Sequence, residues 1–198
     1  MDSHGLRQLK SAIQTFESQP LSVWQALASR TYPRSLNRQD HFSQAGDYAT
    51  EFAFLQEGVL RIYCLSEAGE EWNKHFLLED DFFMAGIVPG QRTDVNIQAL
   101  TPAKLICISF QELRMLMNRH PSLNTFFQKL LLRYLLEKHR KEAFFLSASG
   151  REKYRYFLQR FPGLENRIAQ YQIARYLGIT PTQLSRIRRQ IQHVDSPG

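Results

Sequence analysis

The sequence predicts an α+β protein in which a small antiparallel β-barrel with flanking helices precedes a long helix and a C-terminal helical helix-turn-helix domain without a wing. Three observations favour this order. Short apolar runs dominate the first half, an uninterrupted helical pattern fills the middle, and two short helical patterns joined by a glycine stand near the end. We expect domains at residues 1–110, 111–148 and 149–198.

Within the first of these domains, the pattern of apolar residues changes near residue 42. Residues 6–30 carry apolar side chains at helical spacing, interrupted at Pro20. From Phe42 onward, short apolar runs alternate with turn signals such as Gly46-Asp47, which is typical of a small antiparallel barrel or sandwich. The expected strands are 51–55, 59–65, 72–78, 95–100 and 104–109.

The long helix is predicted over residues 122–146, after a shorter helix over 111–118, because it contains no Gly or Pro. Three consecutive leucines at 130–132 cannot share one face at about 100° per residue, so the helix needs cover on more than one side. The terminal helices of the same chain could provide it. A partner helix in a homodimer is the alternative that we favour, because the terminal domain is small.

A small and permissive tetrapeptide at 147–150 then indicates a hinge before the last domain. Within that domain, residues 170–177 are expected to form a helix with Ile173 and Leu177 on one face. Ala174 beside them allows a second helix to cross closely, and Gly178 provides the turn.

The helix that follows has an unusually well marked start. Thr180 is typical of an N-cap, Pro181 of the first helical position, and Gln183 of the third position of a capping box. Three apolar residues at spacings of three and four are expected to pack inward: Leu184, Ile187 and Ile191. Four polar residues are left facing outward: Thr182, Ser185, Arg186 and Arg189.

The excess of positive over negative charge lies entirely in this last domain. The net charge is +6, and from Gly150 onward there are nine Lys or Arg residues against three Asp or Glu, whereas the preceding part has 16 of each sign. A basic segment on a neutral body is the footprint of a nucleic-acid-binding module, although a basic surface helix can also arise by chance.

A short capped helix that exposes hydroxyls and guanidinium groups near its N-terminus is what a reader of the DNA major groove requires. Arginine can bond guanine O6 and N7, while further arginines meet phosphates. The alternative is a basic helical hairpin that contacts another protein. The candidate DNA-binding residues are Thr180, Thr182, Ser185, Arg186, Arg188, Arg189 and Arg175.

On these residues the chain resembles the bacterial Crp/Fnr transcription regulators. The motifs are AGD at 45–47, EGVLRIYCLSEAGEEW at 57–72, LEDDFF at 78–83, IQALTPAKLICIS at 97–109 and IARYLGITPTQLSRIRR at 173–189. The resemblance implies a cyclic-nucleotide-binding-like jelly roll, a dimerisation helix and a DNA-binding helix-turn-helix.

The same resemblance implies base-reading positions at Thr182, Ser185 and Arg186. The fumarate-nitrate branch of the family has a glutamate where Thr182 stands, and threonine accepts from cytosine N4 far less selectively. The guanine contact by Arg186 is therefore the part of the operator preference that we carry over.

The ligand segment, residues 82–99, departs further from the family. Ala85 stands at the position of the ribose-binding glutamate, and Met84 at that of the preceding glycine. Arg92 lies one residue early, so that Thr93 rather than Arg92 shares a strand face with Val95. We take Met84, Ala85, Arg92 and Thr93 as the candidate pocket and disfavour cyclic AMP. A different small ligand, or a ligand-free scaffold, stays open.

The family's usual wing is a two-stranded hairpin after the second helix, but only nine residues follow Arg189 here. This is too short for a paired hairpin with its turn. We therefore expect contacts to the DNA backbone to come from the helices themselves, through Arg175, Arg188 or Arg189.

Other chemistry finds little support in the sequence. The two cysteines, Cys64 and Cys107, stand in apolar runs and are too few for an iron–sulfur cluster, and the six histidines form no close pair. Glu67, Glu70 and Glu71 are interpreted as a solvated hairpin tip. No phosphate loop or nucleophile elbow occurs, so we expect no enzyme activity and no cofactor. No signal peptide or membrane-length apolar run occurs either, so we expect a cytoplasmic location.

The sequence therefore predicts a cytoplasmic homodimer that regulates transcription by binding double-stranded DNA. RNA polymerase is a further candidate partner, and the small-molecule effector is unassigned. The alternative is a non-enzymatic small-ligand sensor or protein-interaction module.

Overall fold

A computed structural model describes residues 3–86, 88 and 90–194 of the chain. The seven α-helices of this part are α1 Ser3–Gln14, α2 Leu21–Ala28, α3 Phe110–Arg119, α4 Pro121–Ser147, α5 Gly150–Arg160, α6 Gln170–Leu177 and α7 Pro181–Val194. The eight strands are β1 Tyr32–Leu36, β2 His41–Ser43, β3 Glu51–Glu57, β4 Leu60–Leu65, β5 Glu71–Leu77, β6 Phe82–Met84, β7 Asn96–Ala99 and β8 Ala103–Ser109.

The strands form two antiparallel four-stranded sheets, in the orders β1-β8-β3-β6 and β2-β7-β4-β5. This is a jelly-roll-like sandwich, and the barrel predicted from the sequence is wrong in that the described strands do not close it. The edge strands β2 and β6 have only three residues each, which offers too few backbone hydrogen bonds to join one sheet to the next.

Five of the strands lie where apolar runs predicted them, whereas β1, β2 and β6 were missed. Strand β1 contains Pro33 and buries only Leu36, so it carries no alternation of apolar and polar residues. It pairs only with β8, at the edge of its sheet, which is where a proline is tolerated in a strand.

An aromatic cluster joins the first half of α4 to the sandwich. The Phe126 ring on α4 lies 5.2 Å from that of Phe82 and 5.7 Å from that of Phe16, both edge-on. Leu123 is fully buried beside them. Farther along the helix the side chains emerge, since Leu135 is 61% exposed and Leu146 is 91% exposed.

The C-terminal helices pack onto the same chain's second sheet. Phe76 on β5 lies 5.6 Å from the ring of Phe161 and 5.4 Å from that of Tyr176. Phe145 on α4 also meets Tyr176, at 5.8 Å. The terminal helices thus cover the sheet and the end of α4, but they leave the leucines in the middle of α4 exposed.

Only Ala148 and Ser149 separate α4 from α5, so the predicted hinge is shorter than the tetrapeptide 147–150. Ser149 caps α5 in a capping box with Glu152. Gly150 is the first residue of α5, where a Cβ atom would lie 3.0 Å from Cδ1 of Ile187 on α7. A glycine at this position lets the two helices approach closely.

The predicted absence of a wing concerns residues after Arg189. Residues 190–194 continue α7, and residues 195–198 lie outside the described part. None of the helices in the described ranges is long and apolar enough to cross a lipid bilayer.

Candidate nucleic-acid interface

The helix pair α6 and α7 has the local structure that its sequence predicts. Gly178 adopts a left-handed conformation, with φ of 68°, and ends α6. The backbone N–H of Thr180 donates to Oε1 of Gln183 at 2.9 Å, and the N–H of Gln183 donates to Oγ1 of Thr180 at 3.1 Å. The predicted capping box is therefore confirmed, and it fixes where α7 begins.

The inward side of the pair is also as predicted. Ile173, Ala174 and Leu177 on α6 are buried, and Leu184 on α7 is fully buried between the helices. Ile191 is buried and Ile187 packs at the margin of the same cluster. Packing of this stripe determines which side of α7 points to solvent.

Five residues at the start of α7 share the opposite side and surround one shallow open concavity. We call this set the α7 face: Pro181, Thr182, Ser185, Arg186 and Arg189. Ser185 is half-buried, and the other four are exposed. Four of the predicted DNA-binding residues are thus brought together on one solvent-facing surface.

The other three predicted residues lie apart from the α7 face. The Oγ1 of Thr180 is engaged in the cap. Arg188 is half-buried, and it opposes the burial that raises the pKa of Tyr154. Arg175 donates through Nη1 to Oε2 of Glu71 at 2.6 Å. Arg175 therefore contacts the β-sheet of its own chain.

Glu71 was wrongly assigned to a solvated hairpin tip. Its Oε2 accepts a second bond, at 2.5 Å, from Nη1 of Arg61, whose side chain is only 5% exposed. Partial burial alone would raise the pKa of Glu71, but the hydrogen bond and charge of Arg61, aided by Arg175 and His41, outweigh burial and lower it. A lone arginine inside the apolar run of β4 was the available signal in the sequence.

A second ion pair joins the C-terminal helices to the sandwich at another point. Arg167 reaches both carboxylate oxygens of Glu79, at 2.5 and 2.9 Å, and also the carbonyl of Gly58 at 3.3 Å. The hydrogen bond from Arg167 is the leading cause that lowers the pKa of Glu79. The C-terminal helices are thus held to the sheet by polar contacts as well as by aromatic packing.

Two of the candidate ligand residues, Thr93 and Arg92, bond to backbone atoms of the chain itself. Thr93 is buried, and its hydroxyl donates to the carbonyl of Ala85 and accepts from the N–H of Val95 at 3.2 Å. Arg92 is exposed, donates to the carbonyl of Gly46 at 2.7 Å, and stacks over the Tyr48 ring at 4.8 Å. Met84 is half-buried and Ala85 is buried.

The pocket at these four residues stays a prediction, in which the bonds of Thr93 and Arg92 within the chain are the contacts that a ligand would have to replace. Residues 87 and 89, between them, lie outside the described part. Among the described residues, no cluster of three His, Cys, Asp or Glu side chains could hold a metal ion. Cys64 and Cys107 are both free thiols.

Known proteins share this architecture. The cyclic nucleotide-binding domain family matches residues 33–120. The global nitrogen regulator of Synechocystis sp. is 29% identical over 115 residues, which cover 54% of this chain and 51% of that protein. The match thus spans about half the length of that relative.

Solved structures extend the likeness to most of the chain. FixK2 from Bradyrhizobium japonicum has a TM-score of 0.72 at 16% identity, covering 82% of this chain and 85% of that one. The c-di-GMP responsive global regulator CLP from Xanthomonas campestris has 0.70 at 15%, covering 90% and 96%. A Crp/Fnr-family protein from Eubacterium rectale has 0.68 at 17%, covering 88% and 84%.

At 15 to 17% identity these solved structures establish the fold alone. The shared fold agrees with the motifs in the sequence and with the sequence match to the global nitrogen regulator. The resemblance predicted from the sequence is thereby confirmed: residues 33–120 match the cyclic nucleotide-binding domain family, and the chain is similar to Crp/Fnr regulators in sequence over about half of its length and in fold over most of it.

Proposed function

We propose that the chain is a homodimeric transcription regulator that binds double-stranded DNA in a sequence-specific way and reads a two-fold operator with the helix at 180–190. The α7 face carries this proposal. It presents two exposed guanidinium groups and two hydroxyls on a helix whose start is fixed by a cap and whose opposite side is buried. Such a helix fits the major groove.

Within this proposal the residues have different tasks. Arg186 donates to guanine O6 and N7, and Thr182 and Ser185 contact neighbouring base edges. Arg189 meets the phosphate backbone, where charge matters more than sequence. Thr180, Arg188 and Arg175 are supporting backbone contacts, and Arg175 must first exchange the bond that it makes to Glu71 in this structure.

The exposed leucines of α4 support a homodimer. Leu132 is 57% exposed, Leu135 61% and Leu136 45%, although a soluble protein usually hides such a row. A second copy of α4 packed about a two-fold axis would cover them. The two α7 helices could then enter successive major grooves, roughly 34 Å apart.

We propose units at 1–110, 111–148 and 149–198, a cytoplasmic location, no enzyme activity, and RNA polymerase as a further partner. Control by cyclic AMP is disfavoured, because Arg92 bonds to Gly46 instead of facing the interior, and Ala85 offers no carboxylate to a ribose.

Fluorescence anisotropy of the full chain, titrated onto random duplexes and onto duplexes selected from a random pool, tests the proposal. We expect binding at low salt, steep release as salt rises, and an enriched sequence with two-fold symmetry. Light scattering of the protein in solution should give a mass twice that of one chain. If the chain does not bind DNA at low salt, the sensor or protein-interaction alternative is favoured instead.

A further inference from the structure

The contact between α6 and the β4–β5 hairpin is built around one buried charge. Arg61 is 4% exposed, and its guanidinium donates to Oε1 of Gln98 through two nitrogens, at 2.9 and 2.7 Å. Its Nη1 also reaches Oε1 of Gln172 on α6, at 3.1 Å. Asn73 binds the side-chain oxygen and the carbonyl of Gln172, both at 2.8 Å. Arg61, Asn73 and Gln172 are all buried, so these bonds form inside the contact.

Glu71 lies at the edge of that network and holds two arginines at once. The same oxygen, Oε2, accepts from Arg61 and from Arg175. Arg175 contributes to the positive charge of the C-terminal helices, and a carboxylate now occupies the position where a phosphate oxygen would bind it. Next to this pair, Trp72 packs close to the turn at Gly178 that joins α6 to α7.

We propose that Glu71 is an intramolecular latch, whose carboxylate holds Arg175 on the β4–β5 hairpin in competition with DNA phosphate and adds to the packing that keeps α6 there. The inference rests on the proposed DNA binding and adds a regulatory contact to it. DNA gains Arg175 only by displacing Glu71.

The two bonds to Glu71 differ in a way that makes the exchange feasible. The Arg175 side chain is 38% exposed and that of Glu71 28% exposed, so water and salt weaken their attraction. Arg61, in contrast, is buried and keeps Gln98 and Gln172 as partners. Glu71 can therefore lose Arg175 while it continues to neutralise Arg61, and no charge is left buried and unpaired.

The test is a double-mutant cycle measured as DNA affinity at low salt. Glu71→Gln keeps an oxygen acceptor for Arg61 but removes the charge that both arginines share, so circular dichroism must first show that the variant folds as the parent chain does. We expect it to raise affinity for random and selected duplexes by about two- to fivefold, the range of an exposed ion pair. In an Arg175→Ala background the same change should give no gain.

Glu67→Gln is the matched control, because it removes an equal charge from the same hairpin at a residue that is exposed and outside the network. An equal gain from Glu67→Gln, or a gain from Glu71→Gln that persists without Arg175, would show general repulsion and overturn the latch. A loss of affinity in Glu71→Gln would overturn it as well.

A readout without DNA separates this inference from the proposed function. The chain has two tryptophans, so Trp24→Phe leaves Trp72 as the only one. In that background, Glu71→Gln should increase quenching of Trp72 by acrylamide, and so should Arg175→Ala, which leaves the Glu71–Arg61 pair intact, while Glu67→Gln should not. Unchanged quenching overturns the latch, whereas increased quenching in a protein that binds no DNA contradicts the proposed function alone.

Discussion

The α7 face and the ligand segment differ in what their polar groups do. On the α7 face, Thr182, Arg186 and Arg189 project from a fixed helix into solvent. In the ligand segment, Thr93 binds the carbonyl of Ala85, and Arg92 binds the carbonyl of Gly46. Both segments carry arginine and threonine, but in the ligand segment these side chains already bond to carbonyl oxygens of the chain.

This contrast shows that residue type alone does not make a binding site. A rigid helix lowers the cost of ordering its exposed side chains when a ligand arrives. A segment whose donors already have acceptors must break those bonds first, and each broken buried bond costs about 1 to 3 kcal/mol. The two segments therefore differ in the bonds that must break before a partner can bind.

The largest expected effect is on base reading by the α7 face. Arg186→Ala should cost about 1 to 3 kcal/mol on the selected operator and relax preference at one base pair, because a bidentate guanine contact is lost. Anisotropy titrations on selected and random duplexes measure it. Equal losses on both would contradict a base-reading role and weaken the contrast between the two segments.

A matched pair of threonines tests the contrast through stability. Thr93→Val should lower the free energy of unfolding by about 1 to 3 kcal/mol, because it leaves the buried carbonyl of Ala85 without its donor. Thr182→Val, at an exposed position, should change it by less than about 0.5 kcal/mol. Urea denaturation followed by circular dichroism measures both, and similar values would remove the distinction.

Variants of Arg189, on the α7 face, and of Arg188, beside it, test which of these arginines contacts phosphate. Arg189→Gln should weaken binding to all duplexes and reduce the slope of log affinity against log salt by about 0.9, because one phosphate contact is lost. Arg188→Gln should reduce it less, since Arg188 is half-buried whereas Arg189 is exposed. Equal slopes for both variants would mean that Arg188 reaches phosphate as readily as Arg189 does.

The smallest expected effect concerns the ligand segment. Calorimetric titration with cyclic AMP should give no saturable heat, and Arg92→Ala should leave that result unchanged, because Arg92 points away from the interior. A micromolar affinity that Arg92→Ala abolishes would show that the segment rearranges to bind its ligand, and the contrast with the α7 face would then fail.

The sequence predicted best those features that depend on neighbours along the chain. The start of α7 was predictable because Thr180 and Gln183 are three residues apart and satisfy each other's backbone groups. The short edge strands β1, β2 and β6 were not, because their pairing depends on distant strands and leaves little pattern in their own residues.

By itself, the sequence determined the helix pair with its basic outward face, since helix periodicity and capping are local rules. Only the tertiary structure decided which polar residues are free to bind. Glu71 meets Arg175 across 104 positions of the chain, and Arg92 meets Gly46 across 46. Such bonds arise when separate elements pack, so no local pattern announces that an arginine already has an acceptor.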